Sequence, residues 1–135
     1  MITEEEKELL FSDLCARLPY RPLISAPSFS KTPVFLKGIK ITDDGYSDYQ
    51  IYVEGIGDLF VSAEDIKPYL RPMDSMVDEE RDEFEDTLEY DRSYYYTIST
   101  PTIKTIDWLL RNHFDYRGLI EKGLALEAPE NMYKI

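Results

Sequence analysis

The 135-residue chain has the length of a single domain with one hydrophobic core. Its 43% hydrophobic and 31% charged residues are the balance of a folded protein, which excludes an intrinsically disordered chain. A net charge of −12 without any cluster of basic residues argues against direct binding of nucleic acid, because an acidic chain repels phosphates.

Cysteine content and the N-terminal sequence indicate the cellular compartment of the protein. A single cysteine, Cys15, excludes an intramolecular disulfide and a multi-cysteine zinc site. The N-terminal sequence is acidic where a signal peptide is basic, and no apolar run approaches the roughly 18 residues that span a bilayer. The sequence therefore predicts a cytoplasmic protein with no membrane partner.

Residues 1–18 predict an amphipathic helix. Thr3 and Glu6 have the spacing of a capping box, and Pro19 ends the segment. The apolar positions that follow at helical spacing are Leu10, Phe11, Leu14, Cys15 and Leu18. Cys15 is interpreted as a buried structural thiol, since it lies within this stripe.

Residues 19–72 predict a small antiparallel β meander. The candidate strands are 22–27, 33–42, 49–55 and 58–64. Asp44 and Gly45 supply the backbone freedom that a tight hairpin needs, and Gly55 and Gly57 mark a second turn. We expect a short turn at 63–72, and a partly open SH3-like barrel is one way for such a meander to curl.

Residues 73–91 predict an acidic helix. The segment DSMVDEERDEFEDTLEYD, residues 74–91, contains ten acidic side chains and one base, Arg81. Ser75 and Asp78 resemble a capping box, and a thin apolar stripe would dock the helix. The stripe consists of Val77, Phe84 and Leu88.

Residues 92–135 predict a strand, a helix and a tail. The aromatic run at 94–98 favours a strand, and this strand could pair with the edge of the meander. A helix follows from a capping region at 99–101 to Phe114, with Arg111 and His113 as positive charges in its last turn. After a turn ending at Gly123, an irregular tail covers 127–135. Together the segments predict one α+β domain spanning 1–135.

The known signatures of catalysis and metal binding are not found. The acidic run contains no glycine, so it does not form a calcium loop, and the DDGYSD stretch at 43–48 lacks the required ligand spacing. No phosphate-binding loop or nucleophile turn occurs. We therefore predict no enzyme activity, no cofactor and no metal.

The acidic helix and the tyrosine-rich run are the candidate functional features. Tyrosine offers a large, stiff and amphipathic contact surface, which suits protein interfaces. The predicted partner-binding residues are Asp78, Asp82, Glu83, Asp86, Glu89, Tyr94, Tyr95 and Tyr96. We expect a non-enzymatic accessory protein that contacts another protein, one with a basic surface being the best match.

Two alternatives stay open. In the first, the helix imitates a phosphate backbone and occupies the basic groove of a DNA- or RNA-binding protein. In the second, the chain is a small ligand-binding domain or enzyme with a site around its single histidine. The residues of that second site would be Tyr52, Tyr69, Arg71, His113 and Arg117.

Four stretches resemble a family of small uncharacterised proteins encoded in gut bacterial genomes and their prophages or mobile elements. They are LCARLPY at 14–20, IKPYLRPM at 66–73, IDWLLRNHFDYRGLI at 106–120 and KGLALEAPENMYK at 122–134. The resemblance covers the two ends and one junction of the chain. It implies a bacterial or phage origin and carries no activity or functional residue.

Overall fold

A six-stranded sheet forms the centre of the protein. The structure is a computed structural model that describes residues 2–92 and 97–133. Its first five strands are β1 Leu23–Ser25, β2 Val34–Ile41, β3 Tyr49–Val53, β4 Gly57–Val61 and β5 Lys67–Leu70. The described helices are α1 Glu4–Arg17, α2 Asp78–Asp86 and α3 Ile103–Arg111. The remaining strands are β6 Glu89–Arg92, β7 Thr97–Thr100 and β8 Leu126–Glu127. The predicted α+β fold is confirmed.

The meander has the strand order expected from its sequence. The sheet order is β4-β3-β2-β1-β5-β8, all pairs being antiparallel except β5 with β8. The register shifts between Leu36 and Gly38, and a 3-10 turn at Ala63–Asp65 leads into β5. The six strands curl into a half-barrel. This shape agrees with the partly open, SH3-like barrel considered above.

The predicted hairpin between β2 and β3 is fixed by an aspartate side chain. The Asp44 carboxylate accepts hydrogen bonds from the Tyr46 and Ser47 N–H groups, each at 2.9 Å. These bonds hold the pKa of Asp44 below its usual range. Gly45 has φ of 81°, a conformation that glycine adopts without strain.

Helix α1 begins and packs as its sequence predicts. Thr3 and Glu6 form the reciprocal capping box, and Leu10 and Leu14 are fully buried against the sheet. The helix ends at Arg17 and continues as a 3-10 turn, Leu18–Tyr20. Cys15 is only partly buried, although this burial is enough to raise the pKa of its thiol.

The acidic segment is divided into three pieces, so the prediction of one helix over 73–91 is wrong. A 3-10 turn covers Met73–Ser75, α2 covers Asp78–Asp86, and β6 follows at Glu89. Ser75 donates its hydroxyl to the Pro72 carbonyl at 2.6 Å instead of capping α2. The Thr87 hydroxyl bonds back to the Phe84 carbonyl at 2.6 Å, and this local competition ends the helix.

Strand β6 pairs with β7 in a separate two-stranded sheet. The expected pairing of a 94–98 strand with the meander edge is therefore wrong, since β7 begins at Thr97 and its described partner is β6. Residues Tyr94, Tyr95 and Tyr96 lie outside the described residues.

The C-terminal segment contributes more order than predicted. Helix α3 begins after Thr102, whose hydroxyl accepts from the Thr105 N–H, and not at 99–101, since β7 continues to Thr100. Strand β8, Leu126–Glu127, lies where the irregular tail was expected to begin, and it pairs in parallel with β5. Tyr133 then lies across the sheet, its hydroxyl 2.7 Å from the Tyr69 carbonyl and 3.0 Å from the Leu23 nitrogen.

Candidate functional site

Four of the predicted partner-binding residues lie together on α2. Asp78, Asp82, Glu83 and Asp86 are exposed on this helix, whereas Glu89 is exposed on strand β6. Two more exposed carboxylates that the prediction omitted complete what we name the acidic face. Its residues are Asp78, Glu79, Asp82, Glu83, Glu85 and Asp86. Nine residues make a helix about 13 Å long, so the charge is concentrated.

An ion pair anchors the start of α2 to the rest of the protein. Arg71, which follows β5, donates from both terminal nitrogens to the two Glu80 oxygens at 2.7 Å each. The same Glu80 carboxylate accepts from the Val77 N–H at 3.1 Å and so caps the helix. Bidentate charge-assisted pairs fix orientation as well as distance.

Aromatic packing anchors the middle of α2. Phe84 contacts Trp108 of α3 with ring centroids 5.9 Å apart, and Trp108 stacks on Phe114 at 5.5 Å. The Arg71 guanidinium lies 4.2 Å from the centre of the Phe114 ring. Because Arg71 also binds Glu80, it links this aromatic group to the start of α2. Val77, in contrast, is 57% exposed, so its expected place in the docking stripe is wrong. The chain turns outward there before α2 begins.

The end of α2 is tied to α3 by two threonine hydroxyls. Thr102 and Thr105 both donate to the Thr87 carbonyl, at 2.9 and 3.0 Å. Three separate attachments therefore hold a short helix whose own surface is almost entirely acidic. The acidic face is a fixed arrangement of charges and not a mobile tail.

The charge pattern on α2 opposes its own helix. Like charges stand four residues apart at 78 and 82, 79 and 83, and 82 and 86, and each such pair costs a few tenths of a kcal/mol. Glu85 and Asp86 also lie in the last turn, where the negative end of the helix dipole disfavours acids, and this turn contains no base. Asp78 and Glu79, in the first turn, do suit the dipole, so local stability leaves only the acids from Asp82 onward unexplained.

Exposed apolar side chains lie at both ends of the acidic face. Val77 precedes the helix, and Met73, 36% exposed, lies in the turn before it. At the other end Tyr90 is 49% exposed, and its hydroxyl donates to the Glu85 carbonyl at 3.0 Å. Met73, Val77 and Tyr90 therefore place apolar surface next to the carboxylates.

The residues of the alternative site predicted around His113 lie only partly together. Tyr52 lies on β3, on the outer face of the sheet, away from the others. Near the end of β5, the Arg71 N–H donates to the His113 carbonyl at 2.8 Å. Tyr69 is linked to this region through Tyr133, whose ring stacks on His113 at 3.6 Å.

His113 is a buried neutral side chain, so its expected role as a charge at the end of α3 is wrong. It follows the Asn112 cap with φ of 64° and is 9% exposed. Burial, together with the positive charges of Arg17 and Arg71, lowers the pKa of His113 to about 4. The stacked Tyr133 covers the ring, and burial raises the pKa of that tyrosine to about 12.

Two open grooves lie elsewhere on the surface. One, of about 220 Å³, runs between the start of α1 and the turn at Lys122, and the other, of about 340 Å³, lies beside the β1–β2 loop. Lys67 and Glu64 border both. Neither groove is lined by His113 or by any residue of α2. Within the described ranges, no three His, Cys, Asp or Glu residues are placed to hold a metal ion.

The fold and the acidic face define an α+β domain with a rigid, negatively charged helical surface. Comparison with models of known protein families, with curated proteins and with solved structures found no match for this chain. None of the helices in the described part of the chain is both long and apolar enough to cross a bilayer.

Sequence reasoning missed Asp13, Arg17 and Tyr133. Asp13 and Arg17 are fully buried and lie four residues apart on α1, where Arg17 continues the line of Leu10 and Leu14. That position inside an apolar stripe was the available signal for a buried ion pair. Tyr133 had no such signal, because its partners lie more than sixty residues away in the chain.

Proposed function

We propose that this chain is a non-enzymatic binding protein that contacts the basic surface of a partner protein through the acidic face of α2. The observation that carries the proposal is the combination of six exposed carboxylates with three attachments that fix their positions. A preorganised surface loses little conformational entropy on binding, which favours affinity.

The unfavourable charge pattern supports a binding role. Without a partner, like-charge pairs and acids at the helix C-terminus destabilise α2, although the three anchors keep it folded. A cationic surface would relieve this repulsion and speed association by electrostatic steering. The exposed Val77 and Tyr90 would then contact apolar groups at the rim of the same partner.

The imitation of a phosphate backbone is a special case of the same proposal. If the partner's basic surface is a nucleic-acid-binding groove, carboxylates on a fixed helix release its counterions much as phosphates do. Competition decides this case: added duplex DNA or RNA should displace the protein from such a partner. An enzyme or organic-ligand site that uses the face of the His113 ring is less well supported, because Tyr133 stacks on that ring.

Partner capture should depend on the acidic face and on salt. The wild-type protein, used as bait in an extract of its native host, should retain a basic protein whose recovery falls steeply between about 0.05 and 0.3 M salt. Asp82→Asn, Glu83→Gln and Asp86→Asn together should lower that recovery at least about tenfold, since three desolvated charge contacts are lost.

A matched control keeps the same net charge. Glu5→Gln, Glu8→Gln and Asp58→Asn also remove three exposed acids, but from α1 and β4. This control should capture the partner as well as wild type does. Equal loss in both variants, or recovery that is indifferent to salt, would contradict the proposal.

The same substitutions in α2 should make the protein more stable. Neutralising Asp82, Glu83 and Asp86 removes like-charge pairs and one acid at the helix C-terminus, so unfolding in urea should require roughly 0.5–1 kcal/mol more at low salt. The gain should shrink at about 0.5 M salt, where exposed charges are screened. Arg81→Gln, which removes the only base of the helix, should change stability in the opposite direction.

A further inference from the structure

A buried cluster of charges lies at the end of α1, on elements other than the acidic face. The fully buried Arg17 donates to Asp13 from Nε at 2.7 Å and from Nη2 at 3.2 Å. Its Nη2 also donates to the Phe114 carbonyl at 2.8 Å. Arg117 reaches the same carboxylate, its Nη1 lying 3.5 Å from Asp13 Oδ1. Two guanidinium groups therefore share one carboxylate oxygen.

Two guanidinium groups contact a single carboxylate in this cluster. Arg17 and Arg117 each carry a positive charge, and Asp13 is the carboxylate that the described ion pairs place against both. Asp115 is the nearest acid in sequence to Arg117, but its carboxylate accepts from the Leu119 and Ile120 N–H groups at 2.8 and 2.9 Å. The Glu80 carboxylate is engaged with Arg71.

Hydrogen bonding in the cluster is also incomplete. Three buried nitrogens lack a hydrogen-bond partner among the described residues: Arg17 Nη1, Arg117 Nη1 and His113 Nδ1. His113 immediately precedes Phe114, whose carbonyl binds Arg17, and the Arg17 charge lowers the pKa of this histidine, so its ring lies near the cluster. A buried donor without an acceptor costs about 1–3 kcal/mol, and more when it is charged. An acceptor at this place, an ion or a water molecule, would remove that cost.

The cluster can be reached from the surface. The Arg17 side chain is fully buried at its inner end, whereas the Arg117 side chain keeps 25% of its exposure. Arg117 also stacks on the ring of Tyr116, with its guanidinium 5.0 Å from the ring centre. Arg117 is therefore the arginine of the cluster that lies nearer to solvent.

We propose that Arg17, Arg117 and His113 Nδ1 form a binding site for a small monovalent anion, either a halide or a carboxylate group. One further negative charge would give each guanidinium group its own anionic partner, and the unpartnered guanidinium nitrogens are donors suited to an anion. A neutral histidine that carries its proton on Nδ1 would supply a third donor.

The first test compares thermal unfolding in different anions at constant ionic strength and pH. Replacing about 0.1 M of a bulky sulfonate salt by sodium formate or sodium chloride should raise the midpoint by about 2–6 °C, because only the folded state has the site. Arg117→Gln should lose this increment. Arg21→Gln, which removes an exposed arginine paired with Glu54, should keep it. Equal midpoints in all three anions, or a full increment in Arg117→Gln, would overturn the proposal.

A second test uses the wild-type protein and therefore does not depend on the folding of a variant. Crystals of the wild-type protein soaked in sodium bromide should show an anomalous peak about 3.2–3.6 Å from Arg17 Nη1 and Arg117 Nη1, at a site that formate also occupies. Water density there without an anomalous peak would refute the anion site. The outcome is separate from partner binding, since no residue of the cluster belongs to α2.

Discussion

Asp13→Asn should lower the free energy of unfolding by about 3–5 kcal/mol, a large fraction of the stability of a domain this size. The substitution keeps the shape of the side chain but removes the carboxylate that accepts two hydrogen bonds from the fully buried Arg17. Arg117 would lose its ion pair with Asp13 as well. Both guanidinium groups would then lose the carboxylate that they share.

Urea unfolding monitored by circular dichroism measures this effect. Glu8→Gln is the matched control, because Glu8 is an exposed acid of the same helix and its neutralisation should change stability by less than about 0.5 kcal/mol. A variant with both Asp13→Leu and Arg17→Met should recover much of the loss, since it removes both charges of the pair. A loss below about 1 kcal/mol in Asp13→Asn would contradict the buried-pair interpretation.

Acid should destabilise the protein through His113. Its pKa falls from 6.5 to about 4 on folding, so the unfolded state binds the proton more tightly than the folded state. The stability conferred by the neutral ring is fully present above pH 6.5 and is lost as the pH falls towards 4. The shift corresponds to about 2–3 kcal/mol over this window. Arg17 and Arg71 are the charges that oppose protonation.

His113→Asn isolates this contribution. Asparagine tolerates the left-handed backbone at this position, where φ is 64°, and does not titrate. The difference in unfolding free energy between wild type and His113→Asn should therefore change by about 2–3 kcal/mol between pH 7 and pH 4. Carboxylates such as Asp44 and Asp48, whose pKa values are also lowered, contribute equally to both proteins and cancel. A pH-independent difference would show that His113 does not titrate as described.

Local patterns predicted the parts of the fold that depend on neighbouring residues. The Thr3 capping box and the hairpin between β2 and β3 both form, because each is closed by bonds between residues at most three positions apart. The hairpin is not tight as predicted, since residues 42–48 separate its two strands. Runs of β-branched and aromatic residues, with turn residues between them, predict the first four strands for the same reason. The sequence predicts a turn where β5 forms, because Pro68 disfavours a helix. Proline is nevertheless tolerated in this strand, at a position where its missing N–H is not needed for pairing.

The bounds of the acidic helix cannot be predicted from local sequence alone. Charge and spacing predict a helix, and α2 is one, but its bounds depend on distant residues. Thr102 and Thr105 take the Thr87 carbonyl, and Arg71 takes the Glu80 carboxylate. Glu89 therefore falls on a strand, and only part of the predicted surface is shared by one helix.

The sequence by itself determined the α+β class, the position of α1, the positions of the first four strands and the acidic character of α2. These follow from periodicity, turn chemistry and composition, which act over a few residues. Only the tertiary structure decided the contacts of Arg17 with the Phe114 carbonyl, 97 residues away, and of Tyr133 with Leu23, 110 residues away. Such contacts form when elements already folded by local rules pack together, and no local pattern specifies which distant atoms they will meet.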